Sequence, residues 1–215
     1  MKISLRILLG YFLIVAIAAW FVLMIFGQEI KPAVRQSTED ALIDSAQVLA
    51  PIAALDIQNK NIANGYLMQS FQQLNQRPLH ATIVNITKTH IDTRVYVTNA
   101  QGIVIFDSTG QAVGKDYSRW NDVYLTLRGQ YGARSTRTIE GDDSTSVMYV
   151  AAPIVINDAI AGVLTVSKPN KSLMPIIERS EQKILLAGSV LLGIALLIGA
   201  LIVWWINNSI SKIEQ

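Results

Sequence analysis

The sequence predicts an α+β domain placed between two transmembrane helices. Two long apolar segments, one near each end of the chain, predict the transmembrane helices. Between them, short alternating segments bounded by turn residues predict an antiparallel sheet, and amphipathic segments predict helices that pack on it. The composition agrees, because 51% of the 215 residues are hydrophobic and only 16% are charged, whereas soluble domains carry about 25% charged residues.

The two apolar segments, residues 7–26 and 184–206, are each long enough to cross a bilayer. A helix rises about 1.5 Å per residue, and the hydrocarbon layer is about 30 Å thick. The first segment also exceeds the apolar stretch of a cleaved signal peptide. Trp204 and Trp205, at the end of the second segment, are of the type that favours the headgroup level.

The basic residues near the spans predict the orientation of the chain. Lys2 and Arg6 precede the first span and Lys212 follows the second, so residues 1–6 and 207–215 are expected on the cytoplasmic side. Residues 27–183 are then expected to form one domain outside the cytoplasm. This domain is the only part of the chain that is large enough to bury a core.

A long amphipathic helix is predicted just after the first span. Pro32 is expected to break or restart this helix, and Pro51 to kink or end it near Ala50. Its apolar stripe either packs on its own domain, which is the default interpretation, or pairs with the same helix of a second subunit. The stripe recurs every seven residues at Val34, Ala41, Val48 and Leu55, with Leu42, Leu49 and Ile52 beside them.

Further helices and six strands are predicted along the rest of the domain. A short helix should carry Leu67 and Phe71 on one face, and a helix over 117–129 should bury Trp120 and Tyr124. A polar helix from Ser172 should run into the second span with a kink at Pro175. The predicted strands cover residues 81–86, 94–98, 103–106, 134–139, 146–156 and 160–167.

Several kinds of chemistry lack their minimal parts in this sequence. Without cysteine there is no disulfide or thiolate site, and 18 basic against 16 acidic residues give no basis for nucleic-acid binding. No P-loop, G-x-G-x-x-G, G-x-S-x-G or H-E-x-x-H string occurs. His80 and His90, with Asp92 nearby, are too few for a metal centre, so no metal ligand is predicted.

A cluster of aromatic and charged residues around the predicted inserted helix is the candidate ligand-binding site. A pocket for a small anion or carboxylate needs an arginine fork, phenols and an aromatic wall. Arg128 or Arg134 is the better candidate for the fork, and Asp122 is expected to pair with one of them. The candidate residues are Tyr117, Arg119, Trp120, Asp122, Arg128, Tyr131 and Arg134, with Tyr149 and Lys168 from the last strands.

Other small and acidic residues have simpler structural interpretations. Asp107, before Ser108, is expected to form an Asx-turn, and Gly129 and Gly132 to end a helix and turn the chain. The small residues of the second span are expected to let two helices approach closely. They include Gly188, Gly193 and Gly199.

Three blocks of sequence resemble the N-terminal sensor half of bacterial two-component sensor histidine kinases. They are RILLGYFLIVAIAAWFVL, VYVTNAQGIVIFDSTGQAVGKDYSRWNDVYLTLRGQYGARST, and the pair SVMYVAAPIVI and AIAGVLTVSKPN. The resemblance implies a PAS-like periplasmic sensor domain of the PDC or Cache type, in an inner-membrane homodimer. It also implies a HAMP linker that starts as WWINNSISKIEQ does here.

The resemblance implies a signalling role rather than catalysis by this chain. A kinase needs a phosphoacceptor histidine box and an ATP-binding lobe, and neither His80 nor His90 is followed by glutamate. ATP, Mg and a response regulator would therefore belong to a kinase core outside these residues, and this chain is expected to need no cofactor. The expected partners are the lipid bilayer, a second copy, and a small periplasmic ligand or envelope component. The alternatives are the input module of a chemoreceptor or diguanylate cyclase, or a stand-alone membrane scaffold.

Overall fold

The structure, a computed structural model, describes residues 3–83 and 86–211. The chain divides into two compact units. One is helical and combines Met1–Val34 with Ile176–Gln215, and the other is Arg35–Pro175. Helix α1 (Ile3–Gln58) and helix α4 (Met174–Ser211) each contribute residues to both units.

In the helical unit, α1 and α4 pack closely at two glycines of α4. A Cβ at Gly199 would lie 2.6 Å from the ring of Tyr11, and one at Gly188 would lie 3.1 Å from Leu23. The hydroxyl of Tyr11 donates a hydrogen bond to the carbonyl of Ala195 at 3.2 Å. These glycines therefore let two helices approach as predicted, and both helices belong to the same chain. A Cβ at Gly193 would meet no described atom within 4 Å.

One helical segment among the described residues is long and apolar enough to cross a membrane, Arg179–Trp205. A shorter apolar helical segment covers Leu9–Ile25. The predicted first span, residues 7–26, overlaps this shorter segment, and the predicted second span, residues 184–206, lies within the longer one except for its last residue. The second of two predicted spans is thus supported by length, and the first remains a prediction.

Helix α1 continues past both prolines that were expected to interrupt it. The helix ends at Gln58, so the predicted end near Ala50 and the predicted break at Pro32 are wrong. A proline removes one backbone hydrogen bond, whereas Leu42, Ala46, Ala50 and Ala53 bury a continuous face of α1 in the core. This packing outweighs the lost hydrogen bond at Pro51. Pro175, expected to kink the last helix, lies in the first turn of α4, where proline is tolerated.

The buried carboxylate of Asp56 joins the end of α1 to α2 (Tyr66–Gln76). It accepts hydrogen bonds from the backbone N–H groups of Tyr66 at 2.8 Å and Leu67 at 2.9 Å. These N–H groups have no partner within the helix. A Cβ at Gly65 would lie 2.2 Å from this carboxyl group, so only glycine fits beside the cap.

The domain unit contains a five-stranded antiparallel sheet and a separate short hairpin. The hairpin pairs β1 (Ala81–Ile83) with β2 (Ile86–Lys88). The sheet has the order β4-β3-β7-β6-β5, and all neighbours are antiparallel. Its strands are β3 (Arg94–Asn99), β4 (Val104–Asp107), β5 (Ala133–Arg137), β6 (Ser146–Ile156) and β7 (Ala159–Pro169).

The sequence located the last five strands closely and misjudged two other elements. The single strand predicted over 81–86 is two short strands, β1 and β2, and residues 84 and 85 of that prediction lie outside the described residues. The helix predicted over 117–129 is α3, limited to Asn121–Thr126. The remainder of that segment forms turns and loops.

The sheet buries a core on each of its two faces. Helices α1 and α2 cover one face, where the buried side chains include Val95, Phe106 and Leu164. The segment around α3 covers the other face, where Tyr96 and Val123 are buried. On β3, β6 and β7 the two cores use alternate residues, as the pleat requires.

The apolar residues predicted as one stripe of α1 lie on two faces. The default interpretation, packing on its own domain, is correct for Leu42, Leu49 and Ile52 and wrong for Val48 and Leu55. Val48 is 69% exposed and Leu55 is 51% exposed. The side chains that pack inward are Leu42 and its neighbours on the adjacent face. An exposed apolar stripe thus runs along the domain part of α1.

Candidate ligand-binding site

The candidate site lies on the face of the sheet that α3 covers. The register places Arg134 on β5 opposite Tyr149 on β6, and Tyr96 on β3 opposite Thr165 on β7. Tyr149 in turn lies opposite Ser167, two residues from Thr165, so these side chains share one face. The sheet therefore supplies one cation, two phenols and two hydroxyls to a single surface.

Arg134 forms a buried ion pair with Asp122 of α3. Nε of Arg134 lies 2.6 Å from Oδ1 of Asp122, and the two side chains are 9% and 0% exposed. The hydroxyl of Thr165 donates to Oδ2 of Asp122 at 3.2 Å, and the hydroxyl of Tyr96 donates to the same oxygen. The sequence predicts that Asp122 pairs with Arg128 or Arg134, and in the structure it pairs with Arg134.

Aromatic rings cover both faces of the Arg134 guanidinium. Its Cζ lies 3.8 Å from the ring centroid of Trp120 and 3.6 Å from that of Tyr149. Tyr117 stacks on the other side of Trp120 with 3.6 Å between centroids, and Tyr96 contacts Tyr117 edge-on at 5.2 Å. Desolvated contacts of a cation with a ring contribute about 2 kcal/mol or more, so the cage holds Arg134 in one orientation.

One nitrogen of Arg134 has no partner within this cage. Nη2 is buried and makes no hydrogen bond to any residue that the structure describes. Buried donors in folded proteins are usually paired with protein or with ordered water. This nitrogen is therefore a buried donor that is left free to pair with an added acceptor or with an ordered water molecule.

Burial and charge shift the pKa values of the groups in the cage. Burial, followed by the negative charge of Asp122, raises the pKa of Tyr96 well above its usual value, so its phenol stays protonated. Burial lowers the pKa of Arg134, but Asp122 and the neighbouring phenols outweigh burial, so the net shift is upward. The cage thus contains one buried ion pair, that of Arg134 with Asp122.

Trp120 and Tyr124 are exposed rather than buried in the core, contrary to the predicted apolar face. Trp120 is 37% exposed and Tyr124 is 41% exposed. The residues that α3 buries are Asp122, Val123 and Thr126. The apolar face was predicted from the spacing of residues over 117–129, but α3 has only six residues and is bounded by loops. The residues outside α3 therefore do not follow that spacing. Trp120 is consequently a wall of the Arg134 cage.

Four predicted site residues lie outside the cage, namely Arg119, Arg128, Lys168 and Tyr131. Arg128 stacks on Tyr124 at 3.5 Å and donates to its carbonyl oxygen at 2.7 Å, and Arg119 is exposed. Lys168 lies opposite Met148, which is in the core beneath α1, so it occupies the other face of the sheet from Tyr149. Burial, followed by the charge of Lys88, lowers the pKa of Lys168.

Tyr131 connects the segment after α3 to helix α1. Its hydroxyl donates to the carboxylate of Glu39 at 2.6 Å. Burial, followed by its hydrogen bond to Glu39, raises the pKa of Tyr131. Tyr131 lies three positions before Arg134 in the chain and therefore links the site to α1, although it does not enter the cage.

Two residues of the cage were missed from the sequence, Tyr96 and Thr165. Each lies in a correctly predicted strand, but neither is near the inserted helix in sequence. The register between β3 and β7 brings them to Asp122. They could have been found by pairing the predicted strands with one another and then selecting the residues on the same face of the sheet as Tyr149.

The Asx-turn expected at Asp107 and the helix end expected near Gly129 agree with the structure. Asp107 accepts hydrogen bonds from the N–H and hydroxyl of Thr109 and from the N–H of Ala112, as an Asx-turn requires. Gly129 follows α3 with a φ of 73°, a conformation that favours glycine. Nε2 of His90 lies 2.9 Å from Asp92. Within the described residues, no group of three or more possible ligands could hold a metal.

A separate cavity of about 140 Å³ lies away from the predicted residues. It is bordered by α2, by the start of β3 and by the turn after β4. Its lining residues are Phe71, Leu74, Ile91, Thr93, Arg94, Ser108 and Thr109.

Comparison with known proteins identifies the type of molecule. No model of a known protein family matches the chain. Over all 215 residues, however, the chain is 56% identical to the sensor protein CreC of Escherichia coli (strain K12). The chain is a homologue of that sensor protein. It spans 45% of the length of CreC.

One solved sensor domain shares this fold with a TM-score above 0.5. The sensor domain of the histidine kinase DctB of V. cholerae matches with a TM-score of 0.51 and 18% identity, over 76% of this chain and 60% of that one. The E. coli DcuS sensor domain matches with a TM-score of 0.46 and 14% identity, over 68% and 98%. The predicted α+β sensor fold of the PDC or Cache type is confirmed, as is the resemblance to two-component sensors.

Proposed function

We propose that this chain is the input portion of a two-component sensor histidine kinase. It recognises a stimulus outside the cytoplasm, and its second membrane helix relays the change to a HAMP linker and a kinase core. The observation that supports this most strongly is the identity with CreC along the whole chain, together with a sensor-domain fold. Because the chain spans 45% of CreC, the kinase activity, its ATP and Mg, and the response regulator all belong to the proposal.

A chimaera tests this proposal directly. The chain replaces the matching segment of CreC, and a transcriptional reporter of the CreC pathway is measured under conditions that activate native CreC. The expected result is a regulated reporter signal. A chimaera that inserts in the membrane at native levels but gives no regulated signal would overturn the proposal.

The proposed topology is an inner-membrane protein with two spans, residues 7–26 and 184–206, and with both termini in the cytoplasm. The close packing of α1 and α4 around Tyr11 and Gly199 supports two neighbouring spans. Because the chain has no cysteine, single cysteines can be labelled without background. Ser37→Cys should react with an impermeant maleimide in intact spheroplasts, and Ser4→Cys should react only after lysis.

The proposed sensing site is the cage around Arg134. It brings a buried cation, aromatic walls and one unpartnered donor to a single place beneath α3. Few polar groups set among aromatic side chains are typical of small-molecule sites. Arg119, Arg128, Tyr131 and Lys168, which lie outside the cage, are proposed to take no direct part in ligand contact there.

The proposed oligomer is a homodimer that pairs through the exposed stripe of α1. Val48 and Leu55 are large apolar side chains left largely exposed, and each would bury apolar surface worth about 1.5–3 kcal/mol if fully covered. Val48→Cys should form a disulfide between subunits in membranes under mild oxidation. Gln47→Cys, about 100° away around the helix, is the matched control and should not. Equal crosslinking of both variants would refute this interface.

A further inference from the structure

The carboxylate of Asp122 occupies the position at Arg134 where an external anion would bind. It comes from α3, the element that covers the site, and it lies 2.6 Å from Nε of Arg134. The two faces of the guanidinium are already covered by Trp120 and Tyr149. A guanidinium binds carboxylates through its edge, and Asp122 already holds part of that edge.

The charges of the cage leave little attraction for a second anion. The charges of Asp122 and Arg134 offset each other, and burial raises the pKa of the phenols of Tyr96 and Tyr117, so both stay uncharged. A free carboxylate beside Arg134 would be attracted by one charge and repelled by the other over similar distances. An uncharged oxygen acceptor avoids this repulsion and can still pair with Nη2, the donor that has no partner among the described residues.

We propose that Asp122 is the residue that determines the specificity of this site. It acts as an internal counter-ion, so the site accepts ligands without net charge that offer an oxygen acceptor to Nη2, and it excludes simple free carboxylates. The proposal rests on the proposed sensing role of the cage. It changes the expectation of a small anionic ligand, which was based on the arginines alone.

Anion rescue tests the proposal. The full chain in detergent is heated with sodium acetate or with sodium chloride at equal ionic strength. Asp122→Ala leaves a space of carboxylate size beside an unpaired Arg134, so 50 mM acetate should raise its Tm by about 5 °C more than chloride does. The wild-type chain should show no difference between the two salts. Acetamide, the uncharged analogue of acetate, should stabilise Asp122→Ala less than acetate does.

Asp107→Ala provides the matched control. Asp107 is also a buried carboxylate, but its hydrogen-bond partners among the described residues are neutral N–H and hydroxyl groups of Thr109 and Ala112. Acetate and chloride should therefore act equally on Asp107→Ala. If Asp122→Ala does not fold in chloride, the yield of folded chain in acetate against chloride gives the same comparison.

Three results would overturn the proposal. Acetate could stabilise the wild-type chain as much as Asp122→Ala, it could stabilise Asp122→Ala no more than Asp107→Ala, or acetamide could equal acetate. None of these measurements depends on kinase output. Failure of the sensing role itself would appear instead as an unregulated chimaera, so the two failures are distinguishable.

Discussion

Replacing Arg134 with methionine should destabilise the domain strongly, because the change leaves the carboxylate of Asp122 buried without its ionic partner. Asp122 is fully buried and Arg134 is 9% exposed, so solvent does not screen the pair. The change removes a charge-assisted hydrogen bond worth about 1.5–3 kcal/mol. Breaking a buried ion pair by removing one member costs about 3–5 kcal/mol in total.

Two donors limit that cost without removing it. Tyr96 and Thr165 still donate hydrogen bonds to Asp122 in the variant. We therefore expect the free energy of unfolding to fall by about 4 kcal/mol and not by more than the usual range. In a domain of this size each kcal/mol shifts Tm by about 2–4 °C, so Arg134→Met should lower Tm by about 10 °C. The assay is urea and thermal denaturation of the full chain in detergent, followed by circular dichroism.

A double-mutant cycle and a control substitution of an exposed arginine test this explanation. Combining Arg134→Met with Asp122→Asn should cost less than the sum of the single changes, with a coupling of about 2 kcal/mol or more. Arg128→Met removes an exposed arginine that also stacks on a ring but has no carboxylate partner in the described ion pairs, and it should cost about 0.5 kcal/mol. Equal losses for the two arginines, or strict additivity, would show that the buried pair is not the cause.

Three further outcomes are expected in the same denaturation assays. Gly162→Ala should cost about 1–3 kcal/mol, because the new Cβ would lie 2.1 Å from the carbonyl oxygen of Thr98 between two central strands; an unchanged midpoint would contradict this. Above pH 10 the free energy of unfolding should fall with pH, because folded Tyr96 holds its proton more tightly than the unfolded chain does. Tyr96→Phe should reduce that slope, and an identical slope would assign the effect elsewhere. Tyr131→Phe, which removes an exposed hydrogen bond to Glu39, should cost less than about 1.5 kcal/mol.

Local patterns located the last five strands closely, because β-branched and apolar residues and the turn residues between the strands mark each of them. The segment 146–156 was predicted with the bounds that the structure gives to β6, since its β-branched and apolar residues continue without a break. The end of α1 was mispredicted at Pro51. Packing of Leu42, Ala46 and Ala53 against the sheet is a property of the tertiary structure, which a local rule about proline does not contain.

The candidate site was predicted in part for a similar reason. Arg134, Asp122 and Trp120 were grouped because they are close in sequence. Tyr96 joins them only through the pairing of strands that are distant in sequence. Lys168 was misplaced because a shift of one residue in register moves a side chain to the other face of a sheet, and the register was not determined by the local pattern.

The close fit of Tyr11 against Gly199 limits how α4 can move along α1. The ring occupies a notch that exists because Gly199 has no side chain, and the residues one turn away on the same face of α4 are Ala195 and Val203. Sliding α4 by one turn, about 5.4 Å, would bring one of these side chains to the aromatic ring and would break the hydrogen bond from Tyr11 to Ala195. Axial strokes of that size between the two helices are therefore resisted at this point, and tilting about Tyr11 as a pivot is the motion that the packing leaves open.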